Sequence, residues 1–356
     1  RDIEWGIPVP LPGYEHKRLY VWFEAVMGYF TASVEWAHNI GQPEKWKEWW
    51  YDPAAKSYYF MGKDNIPFHT IIWPGELMAV GRLYETDPNR RLNLPYDVPA
   101  NEYLNMESQK LSKSRNWAVW APDMLDRYDP DPIRYYLTAI APETRDTDFT
   151  WADFVRRNND ELVATWGNLV HRMLAFAYRH FEGRVPTPGE LDAADRAILA
   201  RAEAGFESVG SLLAGVHLKA GLEEAMSLAR AANVYLDQKA PWFQIKEARA
   251  AAATTVYVIL RVIDNLKVLL APFLPFSSQR LHEMLGYQGQ LFGRQYTQTF
   301  TEHTRAHQAL CYDASQASGR WQPSQLPPGQ ALRQPEALFK KLDDDTAEKE
   351  LARLLG

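Results

Sequence analysis

The chain has 356 residues, 46% hydrophobic and 24% charged, with a net charge of −6 at pH 7 and a pI near 5.9. That length and apolar share suit two or more domains with real cores, and the acidic balance excludes a global basic field. Cys311 is the single cysteine, which excludes an internal disulfide framework and any multi-cysteine zinc site within these residues; a reducing, cytoplasmic setting is the expectation.

Residues 17–23 (KRLYVWF) are predicted to form a buried strand, followed by a helix over 26–36. A second apolar run, 58–61, ends at Gly62-Lys63-Asp64, and 66–80 reads as helical, with Pro67 in its first turn and a kink at Pro74. Short strands alternating with helices predict a parallel-sheet α/β region. Over 101–116, strand-like residues lead into a polar, cationic loop, and helices are expected over 121–128 and 131–141. From Trp151 the pattern is almost entirely helical. Thr150 and Asp153 resemble a capping box for a helix reaching residue 181. Further helices over 192–213, 218–236, 248–270 and 277–285, joined by short connections, predict an antiparallel bundle. The most apolar stretch, 256–276, carries Arg261, Asp264 and Lys267 at helical spacing, so it reads as an amphipathic core helix and not a membrane span. After residue 285 the tail is rich in Gln, Gly and Pro and ends in a charged helix near 343–355. The chain opens on Arg1 with no initiator methionine and no secretory pattern, and reads as numbered from an internal point or as a truncated product.

Lys110-Leu111-Ser112-Lys113-Ser114-Arg115 concentrates cations where small serines let the backbone approach a ligand, with Leu111 expected to anchor the loop to a core. Such a loop suits a polyphosphate, whose charge the ammonium groups offset as pyrophosphate departs. On composition alone a solvated basic turn is the commoner reading. In context, after a mixed region and before a helical bundle, the segment resembles the KMSKS signature of class I aminoacyl-tRNA synthetases, with Leu111 in the methionine position. It departs from that pattern at Ser108-Gln109 and Asn116, where glycine is usual, which predicts a stiffer loop.

Two further segments narrow the resemblance. Tyr20-Val21-Trp22-Phe23-Glu24-Ala25-Val26-Met27-Gly28-Tyr29 and Gly62-Lys63-Asp64-Asn65-Ile66-Pro67-Phe68-His69-Thr70-Ile71-Ile72-Trp73-Pro74 resemble the two methionine-pocket segments of methionyl-tRNA synthetases, and the likeness runs on to Leu338-Phe339-Lys340-Lys341-Leu342-Asp343. Val26 stands where many relatives have proline. The resemblance implies a methionine pocket of Trp22, Ala25, Tyr29, Phe68, His69 and Trp73; aromatic faces hold a polarizable thioether well, although aromatic residues at such spacings are more often plain core. It further implies ATP contacts from Gly62, Asp64 (to the ribose), Leu104 (backbone, to adenine), Lys110, Ser112, Lys113 and Ser114. Lys110, Lys113 and Arg1 are the implied catalytic residues. Asn168, Arg172 and Trp242 are the implied readers of the CAU anticodon: Asn168 and Arg172 share a helix face, and Pro241-Trp242 offers a rigid ring for stacking. An ordinary solvated face and a bundle anchor are the plainer readings. Arg156, Arg157, Arg179 and His180 are further candidates for phosphate contacts.

The implied fold is α/β plus all-α: the second half of a Rossmann-like class I catalytic domain (1–100), a KMSKS-loop and stem-contact region (101–150), a helical anticodon-binding domain (151–290) and a C-terminal extension (291–356). No His-x-Gly-His segment and no cysteine-rich insertion occur here, so the chain reads as half of an adenylation site, with zinc expected only in a preceding insertion. ATP and Mg2+ are the implied cofactors, L-methionine and tRNA(Met) the partners, without DNA or membrane, and a monomer is expected. The alternatives are a non-catalytic tRNA-binding remnant and a class I synthetase for another aliphatic amino acid such as leucine or valine. The aromatic set and the lack of a large editing insertion weigh against the latter.

Overall fold

A computed structural model describes residues 5–85, 87–302 and 305–355. Two compact units emerge, residues 1–103 with 143–145, and residues 104–142 with 146–356.

The first unit contains helices α1 (Val21–Ala25), α2 (Gly28–Asn39), α3 (Lys47–Trp50) and α4 (Trp73–Val80) around a short parallel pair, β1 (Met61–Gly62) and β2 (Ala100–Asn101). The strand expected over 17–23 is not formed. Val21–Ala25 is helical, and the strand pairing seen among the described residues is a short antiparallel bridge of Pro8 with Arg18, flanked by Val9 N–H to the Lys17 carbonyl at 3.1 Å and Leu19 N–H to the Ile7 carbonyl at 2.9 Å. Apolar composition alone does not extend that bridge into a strand, and Tyr20, Val21 and Phe23 stand exposed. The core is aromatic: Phe30 meets Trp46 and Trp50 edge-on at 5.0 and 5.2 Å, with Val26, Tyr51, Trp73 and Leu77 buried around them. Residues Phe68–Ile72 form a wider π turn in which the Trp73 N–H bonds to the Phe68 carbonyl, just ahead of Pro74 in the first turn of α4. Proline has no N–H to continue an α ladder, and the π turn absorbs the kink foreseen there. Trp5, Trp49, Ile71, Met78 and Leu83 are each more than 60% exposed in this unit.

The second unit begins with a small sheet of β3 (Leu104–Met106), β4 (Gln109–Lys110) and, after α5 (Ala121–Leu125) and α6 (Pro130–Ala139), β5 (Thr147–Phe149). The order is β4-β3-β5, β4 antiparallel and β5 parallel to β3. A continuous helical rod follows: α7 (Trp151–Arg157), a π segment (Asn158–Gly167) and α8 (Asn168–His180). Thr150 caps α7 as expected, its hydroxyl accepting the Asp153 N–H at 3.2 Å. The box is not reciprocal, because the Thr150 N–H bonds to the Tyr136 hydroxyl and the Asp153 carboxylate to Arg156 and Arg157. A full box occurs instead at Asp192/Asp195, opening α9 (Ala193–Ala214).

The bundle continues with α10 (Leu218–Lys239), α11 (Pro241–Glu247), α12 (Arg249–Leu270) and α13 (Pro275–Met284). Helix α12 is its axis, with Val256, Ile259, Leu260, Ile263 and Leu266 fully buried. The charges read as a polar face are buried too: Asp264 and Lys267 are each 3% exposed. They neutralise one another at 2.5 Å, and Tyr287, His282 and Ser324 complete the cluster. A buried pair with its hydrogen bonds satisfied imitates an amphipathic pattern in sequence. The tail holds an unforeseen hairpin, β6 (Arg294–Thr301) with β7 (Ala306–Asp313), then α14 (Thr346–Leu355). Among the described residues no helix is long and apolar enough to cross a membrane.

Candidate functional site

The side chains proposed for an apolar pocket converge in the first unit. Trp22 stacks on Phe68, ring centroids 4.6 Å apart and planes 9° from parallel. Tyr29, 45% exposed, meets His69 at 5.6 Å, Trp73 at 6.3 Å and Tyr59 edge-on at 4.9 Å. Ala25 lies exposed on α1, while His69 and Trp73 are buried. The Asn65 carbonyl lies 2.9 Å from His69 Nδ1 and can only accept, so Nδ1 carries the proton. Nε2 then accepts from the Tyr29 hydroxyl at 3.0 Å. The backbone of Asn65 thus orients an imidazole, which orients a phenol, which is the half-exposed end of the chain. Trp73 is held from behind by donating Nε1–H to Tyr59 at 3.0 Å. Burial raises the Tyr59 pKa, keeping it a neutral acceptor. Tyr59 and Asn65 were not singled out from sequence; an aromatic just ahead of a short strand and a backbone carbonyl carry no signal of this kind.

At the end of β1, Gly62 faces open space, where even a Cβ would meet nothing within 4 Å. Asp64 is exposed and accepts a 2.7 Å hydrogen bond from the Tyr103 hydroxyl. Lys63 pairs with Glu102 and lies 4.4 Å from the Tyr103 ring centroid. Tyr103 therefore fixes one carboxylate oxygen of Asp64 and leaves the second toward solvent.

The cationic loop belongs to the second unit, and its base is built for rigidity. Glu107 and Ser108 have φ of +48° and +61°, the mirror-image turn that joins two antiparallel strands tightly and normally calls for Gly or Asn. Here side chains compensate. Both Asp148 carboxylate oxygens accept the Ser108 N–H at 2.9 Å and one accepts its hydroxyl at 3.1 Å, while the Glu107 carboxylate takes the Trp151 N–H at 2.8 Å. Asn116 (φ +53°) occupies a left-handed position that asparagine tolerates. The departures from glycine thus mark a clamped turn. Within the loop, Ser112 pairs with Trp117 through both backbone bonds, Ser112 and Ser114 hydroxyls lie 3.2 Å apart, and Trp117 Nε1–H bonds to the Met106 carbonyl. Lys110 and Lys113 are exposed, the latter 5.7 Å from the Trp120 ring centroid. Leu111 is 41% exposed, so it does not anchor the loop; Trp117 does. Leu104 is half-buried in β3. Arg1 lies outside the described residues.

Farther along the second unit, the Arg172 guanidinium sits 4.9 Å from the Trp242 ring centroid, and Asn168 stands exposed one turn earlier on α8. Arg172 Nε is buried with no hydrogen-bond partner among the described residues. The turn that delivers Trp242 is sharp, with Ala240 left-handed at φ +43° before Pro241 opens α11. Phe243, 73% exposed beside Trp242, was missed; the Pro-Trp-Phe run was its only sequence trace. Arg156 and Arg157, expected as phosphate contacts, are instead committed to Asp153 and Glu161, so they form a neutralised face of α7. Arg179 remains exposed and His180 half-buried.

A family described as tRNA synthetases class I (M) matches residues 1–174, and one described as the anticodon binding domain of methionyl tRNA ligase matches residues 185–315. The methionine–tRNA ligase of Thermomicrobium roseum is 58% identical over 358 residues, covering 100% of this chain and 60% of that protein. That of Chloroflexus aurantiacus is 53% identical over 365 residues, covering 99% and 61%. Among solved structures, Mycobacterium tuberculosis methionyl-tRNA synthetase bound by methionyl-adenylate superposes with a TM-score of 0.73 at 26% identity, covering 96% of this chain and 59% of that one. The chain therefore spans about three fifths of the length of these relatives.

Proposed function

Because the chain belongs to the methionyl-tRNA synthetase family of class I synthetases, we propose that it supplies the second part of an adenylation site and the anticodon reader of an enzyme that charges tRNA(Met) with L-methionine. The observation that carries this reading is order. An aromatic cluster, the Asp64 turn, a cationic loop and the Arg172–Trp242 step follow one another along a chain that aligns with those relatives from end to end.

In this reading the thioether lies against the Trp22–Phe68 stack and the Tyr29 hydroxyl, whose proton is committed to His69. Ala25 leaves room for the side chain, and Trp73 backs the pocket. The open Asp64 oxygen accepts from a ribose hydroxyl, the space over Gly62 admits the nucleotide, and the Leu104 backbone contacts adenine. The methionine carboxylate attacks the α-phosphate in line and pyrophosphate leaves; Lys110 and Lys113 offset charge on the departing phosphates while Ser112 and Ser114 hold the loop around them. Arg1 is assigned to the substrate carboxylate and phosphates. The aminoacyl group then passes from adenylate to a terminal ribose hydroxyl of tRNA, releasing AMP. No protein nucleophile is required, so catalysis rests on positioning. Asp64 is the one carboxylate in this set and already binds Tyr103, so the residues offer no cage for Mg2+, which would be held through the phosphates and water. Asn168, Arg172 and Trp242 read the anticodon, in a monomeric enzyme of the cytoplasm.

The test is methionine-dependent ATP–pyrophosphate exchange by the complete synthetase carrying Lys113→Ala. Exchange is expected to fall by roughly two orders of magnitude or more; unchanged exchange refutes the role of the loop.

A further inference from the structure

Beyond Arg172, α8 runs into a second cationic corner. At its C-terminal end the Phe176 ring lies 4.5 Å from His180 and 6.5 Å from Phe181. Arg249, which opens α12, places its guanidinium 5.1 Å from the Phe181 centroid and donates from Nη2 to the His180 carbonyl at 2.6 Å. Arg184 donates from Nη1 to the Gly329 carbonyl at 3.0 Å. Phe181, Arg184 and Arg249 line a solvent-facing cavity of about 500 Å³, with Pro186, Thr187 and Ala253 in its wall.

The charge here is not spent internally. Among the described residues, Arg179, Arg184 and Arg249 form no ion pair, whereas Arg156 and Arg157 on α7 are fully engaged. Glu182 is the acidic side chain lining the same cavity and leaves a cationic excess. The His180 imidazole registers that excess: burial first, then the Arg179 and Arg249 cations, depress its pKa. Each guanidinium of the Arg184/Arg249 pair commits one donor to a carbonyl, which orients the planar fork and leaves an edge for a bidentate acceptor. Arg172 and His180 are eight residues apart, about 12 Å along the axis, a span that a few unstacked nucleotides cover. The Arg249–Phe181 pair also repeats, farther along the rod, the arginine-over-ring arrangement of Arg172 and Trp242.

We propose that this corner is a second RNA subsite, in which Arg249 and Arg184 hold a backbone phosphate of the anticodon arm with its sugar against the Phe181 step. The proposal rests on the anticodon reading of Trp242, and its test separates the two. Binding of residues 1–356 to a stem-loop RNA with a CAU loop, and to the same stem with a changed loop, is measured over a salt series for the parent chain and for Arg249→Gln, Arg184→Gln, Trp242→Ala and the control Arg156→Gln. Arg249→Gln and Arg184→Gln are each expected to weaken both RNAs about 3- to 10-fold and to lower the salt slope by about one. Arg249→Lys should keep the slope. Trp242→Ala should remove the preference for the CAU loop, and Arg156→Gln should change nothing. If Trp242→Ala acts as expected while both arginine variants bind with parental affinity and slope, the subsite is overturned and the anticodon reading stands. If Trp242→Ala leaves the loop preference intact, the anticodon reading falls, and the subsite with it. Weaker binding with an unchanged salt slope signals lost packing instead of a lost phosphate contact, and also overturns the proposal.

Discussion

The carboxylate of Asp148 accepts the Ser108 backbone N–H on both oxygens at 2.9 Å, across forty positions of sequence, and thereby holds the turn from which the cationic loop departs. Two consecutive non-glycine residues with positive φ are costly on their own, and this clamp is what offsets the strain.

Removing the clamp should therefore free the loop more than it harms the fold. Asp148→Ala is expected to lower stability by about 1 kcal/mol, since the site is exposed, and to raise amide exchange across residues 107–117. In the complete synthetase, pyrophosphate exchange should fall with it. Adding Ser108→Gly should restore most of the stability, because glycine accepts the conformation without help. If the double variant is no more stable than Asp148→Ala, the clamp does not serve to offset strain.

The Asn65–His69–Tyr29 relay makes a sharper claim about substrate binding. Tyr29→Phe leaves a buried imidazole nitrogen without its donor. In the complete enzyme the KM for methionine is expected to rise about tenfold with kcat little changed, the pattern of lost uniform binding. An unchanged KM would show that ring packing alone shapes the site.

The buried cluster on α12 predicts an acid sensitivity. Burial and then the Lys267 ammonium, which donates to Nδ1 at 3.2 Å, depress the His282 pKa from 6.5 to about 4; the Gln288 backbone, then Asp264 and Glu283, oppose the shift more weakly. A depressed base binds fewer protons folded than unfolded, so its contribution is complete above pH 6.5 and is lost as pH falls toward 4. The full swing is on the order of 3 kcal/mol. Melting temperature should drop between pH 7 and pH 5, and His282→Asn, which keeps an acceptor for Lys267 and cannot titrate, should drop less. Equal losses would place the acid sensitivity elsewhere.

Glu350 ties down the last helix. It is 2% exposed, accepts Arg127 Nε and Nη2 at 3.0 Å each and the Tyr128 hydroxyl at 2.8 Å, and pairs with Arg353. Glu350→Ala strands a half-buried guanidinium and is expected to cost about 2–3 kcal/mol. Limited proteolysis should then remove α14 first; a tail as resistant as the parent's would contradict this anchoring.

Periodicity made the bundle legible. The helices over 192–270 and the N-cap at Thr150 were readable because local spacing and caps dictate them. Ordered motifs pointed to the aromatic cluster and to the Arg172–Trp242 step. What escaped depends on distant partners. The 17–23 run has the composition of a strand, yet its pairing with residues 7–9 stops at Leu19 and Val21–Ala25 turns helical. Asp264 and Lys267 look like a solvated stripe until Tyr287 and Ser324 close over them. The β6–β7 hairpin is a regular alternation hidden in a tail whose Gln and Gly content suggested irregularity. The partners of Arg156 and Arg157 were close enough in sequence to be foreseen, since Asp153 and Glu161 lie at helical spacing from them.

The ten-residue π segment between α7 and α8 also works as a gear. A π turn takes in one residue more than an α turn, so the segment decides where around the rod every later side chain points. Returning 158–167 to ordinary α pitch with every residue kept would swing Asn168, Arg172 and Arg179 together, by about 100° for each extra residue the π turns take in. None of those side chains would change in identity, yet all would face a different direction from Trp242. The angular setting of the face proposed to meet RNA is thus written in backbone pitch, at a place where none of the residues assigned to that face resides.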